Sequence, residues 1–137
     1  MRHILIFLTL SFLLSTAHAQ NDTTRLLFLG NSLTFGNDIP GLVQALADSG
    51  GVAMYYEQST PGGEILESHA SSNTTSLNKL AAGDWDYVIL QEQSQVPLMP
   101  WWRYNNMYPA IRDIDNVNRA NCSRTVLFQT YARKNGG

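Results

Sequence analysis

Four short strand-like runs, each closed by glycine or polar residues and separated by segments of helix length, constrain this chain more than any other feature. Arg25-Leu26-Leu27-Phe28-Leu29 stops at Gly30, and Val52 to Glu57 leads to Pro61-Gly62-Gly63. Tyr87-Val88-Ile89-Leu90 gives way to Gln91, and Thr125-Val126-Leu127-Phe128 is the fourth. The continuously apolar runs fit parallel strands buried on both faces. Between the strands, Leu42, Val43, Leu46 and Ala47 recur at helical spacing across 39–49 before Gly50-Gly51. A polar, helix-compatible stretch runs from Glu64 to Ala82 and stops at Gly83, and Trp101 to Ala120 reads as a helix interrupted at Pro109. The order β-α-β-α-β-α-β predicts an α/β domain with a parallel sheet, helices on both faces and right-handed crossovers.

The amino terminus sets the compartment. Residues 1–19 begin Met1-Arg2-His3, run apolar from Ile4 to Leu14 and finish Ala17-His18-Ala19, the pattern of a cleaved export signal. That apolar run is short for a membrane span, and no later stretch offers a second. Cleavage near Ala19 leaves 118 of the 137 residues, enough for one modest domain, exported to the periplasm or the extracellular space. The formal charge of −2 becomes −3 without Arg2, and acids and bases are mixed along the chain, so nothing points to a nucleic-acid partner. Cys122 is the only cysteine, which excludes an internal disulfide and a thiolate zinc site; the expectation is a buried, inert thiol.

Ligands of parallel α/β sheets bind beyond the carboxyl ends of the strands. That rule brings Gly30 to Phe35, Ser59 to Gly63 and Gln91 to Pro97 around one crevice. Within Gly30-Asn31-Ser32-Leu33-Thr34, Ser32 is presented at a strand-to-helix turn, as a nucleophile requires. Ser32 or Thr34 acting merely as a helix cap is the alternative reading of the pentapeptide. The neighbouring segments alter that balance: Gly62-Gly63 and the cluster Gln91-Glu92-Gln93-Ser94-Gln95 supply backbone and side-chain donors for an oxyanion hole. A nucleotide site is disfavoured, because neither Gly-x-x-x-x-Gly-Lys nor Gly-x-Gly-x-x-Gly follows a strand.

These three segments, in this order and after these strands, resemble the SGNH (GDSL-like) hydrolases. Gly30-Asn31-Ser32-Leu33-Thr34 is similar to the family's Gly-Asp-Ser-Leu motif, with Asn31 in place of the aspartate, and Ser59-Thr60-Pro61-Gly62-Gly63 to its second motif. The resemblance implies a flavodoxin-like three-layer α/β/α fold and an esterase without metal or organic cofactor. It makes Ser32 the nucleophile and Gly63, or alternatively Gly62, an oxyanion-hole donor. The family's usual third motif, Gly-x-Asn-Asp, is absent. The chain is closer to carbohydrate-esterase branches with Gln-Gly-Glu-Ser, which assigns the side-chain donor to Gln91, with Gln93 and Gln95 as alternatives.

No aspartate in the chain has a histidine three residues on, so the Asp-x-x-His pair that supplies the family's base is missing. The expectation is an SGNH domain whose carboxyl-terminal part is lacking, inactive as it stands; a non-catalytic carbohydrate-binding relative is the alternative. His69, the only histidine after residue 19, is a weak candidate base at the crevice rim and a candidate substrate contact. Trp101 and Trp102 are candidates for a sugar-stacking platform, against the alternative of core packing. The partner expected is a small-molecule or polysaccharide ester.

Overall fold

The computed structural model describes residues 23–130. The export signal expected at 1–19 and the terminal Asn135-Gly136-Gly137 lie outside them. Four strands, β1 (Thr24–Leu29), β2 (Met54–Ser59), β3 (Tyr87–Leu90) and β4 (Arg124–Leu127), form one sheet in the order β2-β1-β3-β4. Every pairing is parallel, as the alternating pattern predicts. The register aligns Leu29 with both Ser59 and Leu90, and Leu90 with Leu127. All four strands therefore end at one level, and the segments after β1, β2 and β3 emerge side by side. The chain leaves β1 for β2 on one side and then crosses to β3 on the other, which puts the topological switch point at the ends of β1 and β3.

Six helices join the strands: α1 (Ser32–Phe35), α2 (Ile39–Ser49), α3 (Leu66–Ser71), α4 (Thr74–Ala82), α5 (Pro100–Trp102) and α6 (Tyr108–Ala120). Residues 64–82 thus hold two helices rather than one, divided at Asn73, whose side chain caps α4 by accepting from Ser76 N–H. A π-type turn over Arg103–Met107 links α5 to α6, just before Pro109. Proline has no N–H to offer the preceding turn, and a widened turn accommodates the loss. None of the helices in 23–130 is long and apolar enough to cross a membrane.

Strand alternation divides the core. Leu27, Leu29, Val88 and Leu90 face Leu66, Leu80, Ala110 and Ile114 of α3, α4 and α6, and all are buried. Leu26, Phe28 and Met54 face the other way, with Ala47 of α2 packed against them. The second face is thinly covered. A groove of about 340 Å³ runs over Phe28, Ile89 and Val126, and Leu42 and Leu46 of α2 are 60% and 73% exposed. The helix is where its periodicity places it, yet part of its apolar stripe meets no described element.

Two local expectations are corrected. The second strand runs from Met54 to Ser59 rather than from Val52 to Glu57, because β1 pairs with it through Gln58 and Ser59. At the sheet's edge polar residues cost little, so composition misplaces its ends. Cys122 is exposed, not buried: it occupies a left-handed turn after α6, with φ of 59°.

Candidate active site

At the end of β1 the chain turns directly into the short helix α1. Asn31 is its cap, its Oδ1 accepting from Leu33 N–H, and Ser32 is the first helical residue. Ser32 is exposed, whereas Asn31 and Thr34 on either side are buried. The turn thus lifts one hydroxyl into solvent and sinks its neighbours into the core.

What holds the turn is chiefly Gln91, the first residue after β3. Its side chain is fully buried, and its Oε1 accepts from Asn31 N–H at 2.9 Å and from the Thr34 hydroxyl at 2.8 Å. Its Nε2 donates to the Glu92 carbonyl at 2.6 Å. The oxyanion-hole role expected of Gln91 does not fit this arrangement, because the carboxamide is enclosed beneath the loop instead of facing the crevice. Packing is tight enough to specify glycine at position 30: a Cβ there would stand 2.7 Å from Gln91 Oε1 and 2.7 Å from Thr34 Oγ1. The alternatives are freer. Gln93 Oε1 accepts from Gln95 N–H and Val96 N–H, while the Nε2 groups of Gln93 and Gln95 have no acceptor among the described residues.

Asn31 ties the loop to the glycine turn, since its Nδ2 donates to the Glu64 carbonyl at 2.8 Å. An aspartate has no such donor, so the departure from Gly-Asp-Ser-Leu has a structural role. The residue preceding Glu64 is Gly63, whose φ of 74° favours glycine. Nothing lies within 4 Å of where a Cβ would stand on Gly62 or Gly63. The N–H groups of Ser32, Gly62 and Gly63 have no acceptor among the described residues. Unspent backbone donors beside an exposed serine are the raw material of an oxyanion hole.

His69 is not at the rim. It is 0% exposed, with Nε2 2.9 Å from the Gly30 carbonyl and Nδ1 2.6 Å from Ser76 Oγ. Burial depresses its pKa, against weaker opposing effects of the Gly30 hydrogen bond and of Glu64. Enclosed there, it can neither touch substrate nor take a proton from Ser32. Trp101 and Trp102 are 64% and 39% exposed and pack edge to face, so they are not core. Neither borders the cleft of about 440 Å³ that is walled by Leu66, Leu98, Ile111 and Phe128 with Glu92 and Ser94.

Glu92, which the sequence offers only as one member of the polar cluster after β3, is the carboxylate the structure singles out. It is buried, and its Oε1 accepts from Leu66 N–H at 3.2 Å and Gln93 N–H at 2.7 Å. Desolvation raises its pKa, partly offset by those two hydrogen bonds.

The chain has the fold of the SGNH hydrolases, as its likeness to solved structures shows. One is a protein of Slackia heliotrinireducens named as a candidate SGNH hydrolase (TM-score 0.68, 24% identity, 82% of this chain and 59% of that one). A second is a DUF4886 family protein from Bacteroides uniformis (TM-score 0.62, 21% identity, 81% and 51%). A third is the psychrotrophic esterase EstA from Pseudoalteromonas, inhibited by monoethylphosphonate (TM-score 0.62, 16% identity, 83% and 63%). The chain spans between half and two thirds of the length of these structures. No family model and no curated protein matches it.

Two outcomes follow from the geometry. Asn31→Asp removes the donor to Glu64 and buries a carboxylate against a carbonyl. It is expected to lower the unfolding free energy in urea by about 1–3 kcal/mol, the cost of a buried unsatisfied acceptor, or by more because the group is charged. Glu92 has its pKa raised on folding, so its contribution to stability is complete below its ordinary value of 4.5 and is lost as pH rises through the raised value. Glu92→Gln is therefore expected to melt higher than wild type at neutral pH. The two curves should converge below pH 4.5 in thermal scans across pH.

Proposed function

We propose that this chain carries the nucleophile and oxyanion-hole portion of an exported serine esterase of the SGNH type. The observation that bears most weight is the pairing of an exposed Ser32 with buried neighbours that fix its loop, beside a glycine turn with unspent N–H groups. In this reading Ser32 Oγ attacks an ester carbonyl carbon and gives its proton to a base. The carbonyl oxygen becomes an oxyanion held by Ser32 N–H and Gly63 N–H, with Gln93 or Gln95 as a side-chain donor. Collapse expels the alcohol and leaves an acyl-serine. Water attacks that ester in turn, and the acid departs.

Carbohydrate-linked acetyl esters are the substrate class proposed. The export signal read at 1–19 and the solvent-facing Trp101 and Trp102 support it. A non-catalytic carbohydrate-binding relative is the second reading, favoured by one observation: the only histidine after residue 19 is buried and committed elsewhere.

Without a base, residual rate comes from the oxyanion hole and binding alone, orders of magnitude below a full triad. The 137-residue chain is thus expected to hydrolyse p-nitrophenyl acetate only feebly. Added imidazole, standing in for the missing base, should raise the rate above that of Ser32→Ala under the same conditions. Equal rates for wild type and Ser32→Ala at every imidazole concentration would contradict the nucleophile assignment and favour the binding-protein reading.

A further inference from the structure

His69 belongs to a closed circuit of hydrogen bonds around one residue, Gly30. The Gly30 carbonyl is 2.9 Å from His69 Nε2; His69 Nδ1 is 2.6 Å from Ser76 Oγ; Ser76 Oγ is 2.9 Å from Ser59 Oγ. The Ser59 carbonyl then accepts from Gly30 N–H at 3.2 Å, which closes the ring. His69, Ser76 and Ser59 are all buried. A carbonyl only accepts, so Nε2 carries a proton, and a neutral ring leaves Nδ1 to accept from Ser76.

The placement explains why such a ring is needed. The Leu29 carbonyl is taken by Gln91 N–H in the sheet, but the next carbonyl, that of Gly30, has no strand partner because the chain turns into the Ser32 loop. A buried carbonyl without a donor is costly, and the imidazole supplies one. The ring also couples two segments. Gly30 stands two residues before Ser32, and Ser59 stands at the end of β2, immediately before the Thr60–Gly63 turn.

We propose that the His69–Ser76–Ser59 circuit is a positioning device that clamps both sides of Gly30 and fixes the Ser32 loop relative to the Gly62-Gly63 turn. His69 acts through Gly30 and touches no substrate. A histidine present only to fill space would be replaceable by any side chain of similar volume. This one is replaceable only by a side chain that donates to the Gly30 carbonyl. The clamp stands on its hydrogen bonds alone, and its consequence for Ser32 rests on the esterase reading.

Amide hydrogen exchange separates the two. In His69→Ala, and more mildly in Ser76→Ala, exchange at Gly30 and Asn31 is expected to quicken about tenfold or more relative to Leu27, a loss of local protection rather than global unfolding. His69→Gln, whose amide can reach the same carbonyl, should restore protection. The imidazole-assisted, Ser32-dependent hydrolysis should fall in His69→Ala and recover in His69→Gln. Unchanged exchange at Gly30 and Asn31 in both alanine variants would overturn the clamp, as would acceleration spread evenly over α3 and α4 that His69→Gln does not reverse. If Gly30 and Asn31 behave as expected while wild type shows no Ser32-dependent hydrolysis, the clamp stands and the esterase reading fails.

Discussion

The Gln91 carboxamide, closed off from solvent between the ends of β1 and β3, is the contact on which the rest of the site depends. Its oxygen takes the Asn31 N–H and the Thr34 hydroxyl, so the loop after β1 is stitched to the strand beside it. Breaking that junction would leave two buried donors unsatisfied at once, which is why the loop holds one shape. Asn31 extends the same logic to the turn after β2 through the Glu64 carbonyl, and the circuit around Gly30 braces it from beneath. The Ser32 hydroxyl makes no hydrogen bond to this scaffold among the described residues. Ser32 is the exposed residue among committed ones, and the proposal that it is the reactive position rests on that division of labour.

Much of the fold was legible because parallel strands buried on two faces must be apolar throughout and must end in turn residues. Tyr87–Leu90 and Ile39–Ser49 fall where those rules place them. What sequence could not resolve was the direction of polar side chains. Gln91 and Gln93 are chemically alike and two residues apart, yet one is a fully buried strut and the other keeps a free amide. His69 was misplaced for a related reason: helical periodicity says that it lies on α3 but not that the Gly30 carbonyl waits opposite. Long-range pairings, 60 residues apart for Asn31 and Gln91, leave no trace in local spacing.

Electrostatics adds a second layer. His69 and Glu92 are both buried, and burial pushes their pKa values in opposite directions, each toward the neutral form. Both sit directly behind the crevice, one beneath the loop after β1 and one after β3. Among the described residues the sheet meanwhile keeps one well-covered face and one thinly covered face.

A crystal structure of the chain after reaction with an alkylphosphonate ester tests the central claim most directly, since the tetrahedral phosphorus mimics the acyl transfer intermediate. The account requires a covalent bond from Ser32 Oγ to phosphorus, with one phosphoryl oxygen held by the N–H groups of Ser32 and Gly63 while Gln91 stays in its buried pairing with Asn31 and Thr34. An adduct on another residue, or a phosphoryl oxygen bound by a Gln91 side chain swung out of the core, would contradict it.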